Sequence, residues 1–222
     1  MREGKFVLVF DDDNREKETD FFIASEFVTP SAVRTMRKDG GGLIFLMISS
    51  QIGTTLQLPF LADLFSDNGQ SYPVLQHLIA NDIPYDAKSS FSLYINHRET
   101  YTGITDDDRC LTMNRFAELS KYVLRNENDH PLERFGKEFR SPGHIPICIA
   151  SEQPLMKRFG HTELAISLLT MAGLTPVASG CEIMGNNAKA LSKEEAKTYA
   201  KEHNLCFLEG KQIIEAWKKW SP

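Results

Sequence analysis

The sequence predicts an α+β fold with a mixed β-sheet, in one domain over residues 1–222. Three observations lead there. Apolar runs of strand length and capped segments of helix length follow one another along the whole chain. No internal repeat, low-complexity tract or linker divides them. With 222 residues, 41% hydrophobic and 25% charged, the chain has the size and balance for one substantial core.

Residues 5–10 (KFVLVF) and 21–27 (FFIASEF) read as strands joined by an acidic turn, DDDNREKETD, residues 11–20. Thr29 as N-cap, Pro30 at the first helical position and Gly40 after the last turn bound a helix. LIFLMIS (residues 43–49) is apolar almost throughout and predicts a buried central strand. Residues 51–88, broken by Pro59, Gly69, Pro73 and Pro84, show no readable period. SFSLYINHR (residues 90–98) alternates, which puts Phe91, Leu93 and Ile95 on one face of a strand. Thr105 with Asp108 resembles a capping box opening a helix to about Val123. Residues 125–143 are polar and turn-rich and predict a long functional loop.

HIPICIA (residues 144–150) predicts a strand. Residues 161–174 predict a helix with Ala165, Leu168, Leu169 and Ala172 on one stripe and Gly173 near its end. PVASGCEIM (residues 176–184) suggests a strand, Ser192 with Glu195 boxes the next helix, and residues 211–220 close the chain as a short helix.

The formal charge of −5 leaves no general footprint for nucleic acid, although a local basic site for a small phosphate is compatible with it. Cys110, Cys148, Cys181 and Cys206 form no C-x-x-C pair, which argues against a zinc ribbon or a disulfide framework and for reduced thiols. The longest strongly apolar run, residues 43–48, is far below membrane-spanning length, and residues 6–10 are too short for a signal segment. A cytoplasmic protein without membrane or nucleic-acid partners is the expectation.

The acidic turn is the densest concentration of chemistry. A turn between strands is ordinarily polar and solvated. Counted from Asp11, Asp12 or Asp13, a calcium loop fails, with no glycine at the sixth position and no glutamate at the twelfth. If residues 16–20 are extended, the period of two puts Glu16, Glu18 and Asp20 on one side. Three converging carboxylates repel unless a divalent cation or shared protons neutralise them, and magnesium suits such a set. In KRFGHTELA, Arg158, Gly160, His161 and Thr162 at a helix start are the parts of a small-phosphate site. Thr102 and Thr105 lie before another helix, where hydroxyls and amides favour an anion or simply cap. His144 follows a Pro-Gly turn, and Glu182 lies in an apolar strand context, where a carboxylate is costly unless paired or bound.

Taken together, DDDNREKETD, FIASEFVTP, RKDGGGLI, TGITDDDR, FRSPGH, RFGHTE and CEIM resemble, in order, the motifs of the 3,4-dihydroxy-2-butanone 4-phosphate synthase family, in its archaeal form. The likeness covers nearly the whole chain. It implies a single-domain α/β/α sandwich without the cyclohydrolase domain fused to some relatives. It also implies a Mg2+-dependent lyase (Mn2+ being the alternative ion) that converts ribulose 5-phosphate to 3,4-dihydroxy-2-butanone 4-phosphate and formate. The family uses no organic cofactor and works as a homodimer. Carried over by motif, Glu16 and His161 match metal ligands. Arg15, Thr102, Thr105, Arg158 and Thr162 match substrate contacts. Glu18, Asp20, His144 and Glu182 match the groups assigned to proton transfer or to substrate hydroxyls. One departure stands out: many members carry cysteine where this chain has Phe45. That leaves room for a catalytically silent sugar-phosphate-binding relative.

Overall fold

Alternate residues along the strands point into two separate apolar cores. Leu8, Phe21, Ile23, Leu46 and Ile48 belong to one, while Val7, Val9, Phe22, Phe45 and Met47 belong to the other. A sheet buried on both faces needs a helical layer on each, and the chain supplies them. The structure, a computed structural model, describes residues 1–80, 82–125 and 130–220.

Its strands are β1 (Val7–Phe10), β2 (Thr19–Ala24), β3 (Phe45–Ile48), β4 (Phe91–His97), β5 (Phe139–Ile149), β6 (Val177–Glu182) and β7 (Cys206–Glu209). They form one sheet in the order β4-β5-β3-β6-β2-β1-β7. The sheet is mixed: β3/β5 and β1/β7 are parallel, and the other neighbours are antiparallel. The helices are α1 (Pro30–Thr35), α2 (Ser50–Thr55), α3 (Leu61–Asp67), α4 (Val74–His77), α5 (Asp106–Leu124), α6 (Pro131–Glu138), α7 (His161–Met171), α8 (Lys193–Glu202) and α9 (Gly210–Trp220).

The first core is closed by α1 and α5, through Val33, Met113 and Phe116; the second by α7 and α9, through Leu164, Leu169 and Ile213. Phe116 is fully buried, and truncating it to alanine would cost about 3–5 kcal/mol. The α/β/α layering and the mixed sheet agree with the reading from sequence. Among the described residues no helix is long and apolar enough to cross a membrane.

The caps read from sequence are formed. Ala32 N donates to Thr29 Oγ1 at 3.1 Å, Asp108 N to Thr105 Oγ1 at 3.1 Å, and Ser192 with Glu195 makes the reciprocal box. At Thr105 only half of the expected box forms, because the Asp108 carboxylate accepts from Tyr101, Thr102 and Gly103 N instead. Elsewhere the structure differs. The first helix ends in a wider turn, Met36–Gly40, so the left-handed residue is Gly41, not Gly40. Within the expected long loop, Pro131–Glu138 is helical and β5 already begins at Phe139; residues 126–129 lie outside the described residues. Phe135 explains part of this, because it packs into the first core and gives α6 an anchor. Phe91 joins the second core while Leu93 and Ile95 join the first, because the β4/β5 register shifts between Phe91 and Tyr94 and breaks the period of two. Residues 51–88 hold three short helices, α2 to α4, and β7 was not foreseen.

Candidate active site

The turn joining β1 to β2 is organised by its first acid. The Asp11 carboxylate is buried and accepts the backbone N–H of Glu16 at 2.9 Å and of Glu18 at 3.1 Å. Asp12 accepts from Asn14 N at 2.8 Å. These bonds curl the chain so that it cannot run extended from residue 16. Lys17 is left-handed (φ 61°), and β2 starts only at Thr19. The expected alternation is therefore interrupted, yet Glu16, Glu18 and Asp20 all line one cavity of about 470 Å³.

The other acid in that cavity comes from strand pairing. β2 and β6 are antiparallel with Asp20 directly opposite Glu182. Two carboxylates at facing positions repel, so each needs a partner. Glu182 has one, since Leu43 N donates to its Oε2 at 2.8 Å. A side chain at Gly42 would collide with the Glu182 carboxylate, so only glycine leaves room for this close approach.

His161 is the first residue of α7 and lines the same cavity. Its Nδ1 donates to Glu16 Oε2 at 3.0 Å, and its Nε2 stands 3.6 Å from Asp20 Oδ1. Nε2 and Asp20 Oδ1 are both buried without a hydrogen bond, and each such atom is costly. One ligand atom each from Asp11, Glu16 and His161 lies within 4.8 Å of the others. Carboxylate oxygens and an imidazole nitrogen, two of the neighbouring atoms unpaired, are a donor set that fits a hard divalent cation.

Protonation reflects this crowding. Burial, with Glu182, Glu16 and Glu18 nearby, pushes the Asp20 carboxyl up to about 8 despite the opposing pull of His161. Burial opposes the charged imidazole, but Asp20, Glu16 and Asp11 outweigh it and raise His161 to about 9. Glu18 is raised by burial and by Glu16. For Glu16, burial acts upward but is outweighed by His161 and Arg15, which hold it below the ordinary carboxylate value.

Opposed to these acids are two guanidiniums. Arg15 and Arg158 line the cavity, as does buried Thr162 in the first turn of α7. A Cβ on Gly160 would come within 2.7 Å of Arg158 Nη1 and 2.8 Å of Arg15 Nη2, so both groups converge over that glycine. Arg158 Nη1 is held by the buried Glu163, and Arg15 Nη1 by Glu16 at 2.8 Å. Phe45, Tyr85, Phe91 and Cys148 complete much of the remaining wall.

Eight of the eleven candidate site residues thus meet in one cavity, while Thr102, Thr105 and His144 do not line it. Thr105 caps α5, Thr102 Oγ1 donates to Asp108 at 3.3 Å, and His144 Nδ1 accepts from Asn96 Nδ2 at 3.0 Å. Sequence reasoning missed Asp86, Glu163 and Tyr85, and weighed Asp11 only as the start of a calcium loop. Glu163 follows His161-Thr162 directly and could have been noticed. Asp86 and Tyr85 sit where no period was readable.

Comparison with known proteins agrees with this geometry. The family model for 3,4-dihydroxy-2-butanone 4-phosphate synthase matches residues 1–216. The chain is 44% identical to the 3,4-dihydroxy-2-butanone 4-phosphate synthase of Methanothermobacter thermautotrophicus over 99% of this chain and 93% of that one. It is 43% identical to the synthase of Methanosarcina mazei, over 100% and 89%. A crystal structure of a 3,4-dihydroxy-2-butanone 4-phosphate synthase in complex with two magnesium ions superposes with a TM-score of 0.74 at 25% identity, covering 99% of this chain and 93% of that chain. A match along almost the whole length, over a cavity that gathers the acidic turn, RFGHTE and CEIM, places the chain in the 3,4-dihydroxy-2-butanone 4-phosphate synthase family, lyases of riboflavin biosynthesis.

Proposed function

We propose that the chain converts ribulose 5-phosphate to 3,4-dihydroxy-2-butanone 4-phosphate and formate, with magnesium at Glu16 and His161 and manganese able to replace it. The observation that carries this reading is the pair of buried, unpaired atoms, Asp20 Oδ1 and His161 Nε2, inside a cavity that also holds two guanidiniums. A bound divalent cation would supply Lewis acidity to adjacent ketone and hydroxyl oxygens. The chain's own groups do the rest. Arg158 and Thr162, with Arg15, hold the phosphate end. Glu18, Asp20 and Glu182 move protons: one is taken beside the ketone, the C1 hydroxyl leaves as water, the skeleton shifts, and C4 departs as formate with water returned. The sum balances without an oxidant or an organic cofactor.

The reading extends to a cytoplasmic homodimer in which residues 1–222 act as one synthase domain. Thr102, Thr105 and His144 support the dimer: they fall outside the cavity of their own copy, on a surface where Tyr101 is 95% and Ile104 50% exposed. A second copy would bring them to a site. The test is formate release from ribulose 5-phosphate with magnesium, abolished by EDTA; no formate from the pure protein would overturn the reading. Phe45, buried against the cavity in place of the thiol of many relatives, favours the silent-relative alternative. Calorimetry showing sugar-phosphate binding without turnover would select it.

A further inference from the structure

The two cations of the cavity are already bridged by a single carboxylate. Asp86 Oδ2 accepts from Arg15 Nη2 at 2.9 Å and from Arg158 Nε at 2.8 Å, and lies 2.6 Å from Arg158 Nη2. The remaining fork atom of Arg158, Nη1, goes to Glu163, and Arg15 Nη1 goes to Glu16 and Asp11. The open Nε/Nη2 edge of Arg158, which a planar guanidinium uses to grip a phosphate, is thus wholly taken by Asp86.

The carrier of that carboxylate differs from the carriers of the arginines' other partners. Asp11, Glu16 and Glu163 are fixed by the β1–β2 turn and by α7, whereas residues 82–90 contain no helix or strand. Tyr85, the neighbour of Asp86, lies with its ring 5.3 Å from Arg15 Cζ, and Pro84 and Tyr85 both line the cavity. The segment therefore leans on the anion subsite through one ion-pair cluster and one cation–π contact, both of them interactions that a competing anion can replace.

We infer that Asp86 is the protein's own occupant of the phosphate subsite, and that a sugar phosphate binds by displacing it. The inference rests on the assignment of Arg158 to phosphate in the proposed function. A phosphate ester has up to two charges and three acceptor oxygens to set against the single charge of Asp86, enough to span both guanidiniums. A free pentose carries no charge and leaves Asp86 in place. The carboxylate thus lowers the affinity for every anion and excludes neutral sugars, which makes it a specificity-determining residue rather than a catalytic one.

Two measurements test it. Calorimetric titration with inorganic phosphate is expected to show Asp86→Asn binding about tenfold more tightly than wild type, because the competent state no longer has to be freed first. Hydrogen exchange on the wild type is expected to speed up in residues 82–90 when phosphate is added. Equal or weaker phosphate binding by folded Asp86→Asn overturns the inference. Tighter binding with no faster exchange overturns displacement as well, since Asp86 would then act only as a nearby charge. If the variant does not fold, the wild-type exchange decides alone. Arg158→Ala, titrated alongside, separates the two levels. Wild-type phosphate binding in that variant removes the phosphate assignment itself. Lost binding there, with Asp86→Asn unchanged, removes only the inference about Asp86.

Discussion

Two polar clusters in this molecule look alike in sequence and differ in kind. Around the start of α5, Asp108 accepts Gly103 N at 2.8 Å, Thr102 N at 3.2 Å and Thr102 Oγ1 at 3.3 Å, while His144 N donates to Asn96 Oδ1 at 2.9 Å. Gly103 N–H and its neighbours hold the Asp108 carboxyl below its ordinary value. Neither Asn96, Asp108 nor His144 leaves a buried side-chain atom unpaired. Around the start of α7, by contrast, Asp20 Oδ1 and His161 Nε2 are buried and unpaired, and both groups titrate far from their ordinary values. In the first cluster Asp108 and His144 have their partners, although Arg109 Nε on α5 is buried and unpaired; in the second an acid and an imidazole 3.6 Å apart are both left unpaired. An acid and an imidazole left unpaired side by side, both titrating far from their ordinary values, separate a ligand-binding site from a polar scaffold better than polar density or a lone orphaned atom does.

The strongest way to break this contrast is Glu16→Gln. It keeps the shape of the turn, because Asp11 still receives the backbone N–H of residues 16 and 18, but it removes the anionic partner of His161. Formate release should fall by roughly 10²-fold or more, with the circular dichroism spectrum unchanged. A rate near wild type would show that the crowded cluster holds no essential cation.

The first cluster has its own test, which asks whether its residues serve the cavity of a second copy. His144→Ala should also lower formate release by roughly 10²-fold if a second copy presents that imidazole to the cavity. Co-expressing it with Glu16→Gln would then restore about a quarter of the wild-type rate, because half of randomly paired dimers carry one intact site of two. Two inactive variants that stay inactive together would confine each site to one copy.

How much of this was legible beforehand follows from which interactions are local. Caps at Thr29, Thr105 and Ser192 are i to i+3 contacts and could be read directly. β1 and β3 could be read because burial on both faces makes them apolar throughout. The Phe91 face could not, since a register shift depends on the partner strand. α6 was hidden because a short polar helix is held by tertiary contacts through Phe135 rather than by its own pattern. In the site, the candidate residues that meet at the cavity come from the turn after β1, the start of β2, the end of β6 and the stretch leading into α7, and only the family motifs tied them together. Asp86 carries no local signal: its meaning lies in two arginines, 71 and 72 residues away along the chain.

A subtler probe leaves every polar group of the crowded cluster in place and shifts one of them. Gly42→Ala would put a methyl group where the Glu182 carboxylate now meets Leu43 N. The bond must lengthen or the side chain must turn, so formate release should drop by about tenfold, with the apparent KM little changed, because Glu182 is placed in proton transfer and not at the phosphate. A change in KM alone would move Glu182 to the binding side of the cavity.

The smallest effect is a dependence of stability on pH that only the crowded cluster should show. Asp20 titrates near 8 in the folded chain against about 3.9 when unfolded, so the native state holds a proton that the unfolded state has already released. Stability from this group falls as pH rises from about 4 to 8. His161 titrates near 9 against about 6.5 unfolded; its contribution is fully present below pH 6.5 and is lost as pH climbs through 9. Glu18 is raised as well and acts with Asp20, whereas the lowered Glu16 matters only in acid. In EDTA the unfolding midpoint should therefore drop between pH 6 and pH 9, by something on the order of 5 °C for a chain of this length. With magnesium the cation supplies the positive charge that protons otherwise bring, and the drop should shrink, so that the gap between the two curves widens as pH rises. Parallel curves would mean that the ion does not bind at Glu16 and His161, beside Asp20.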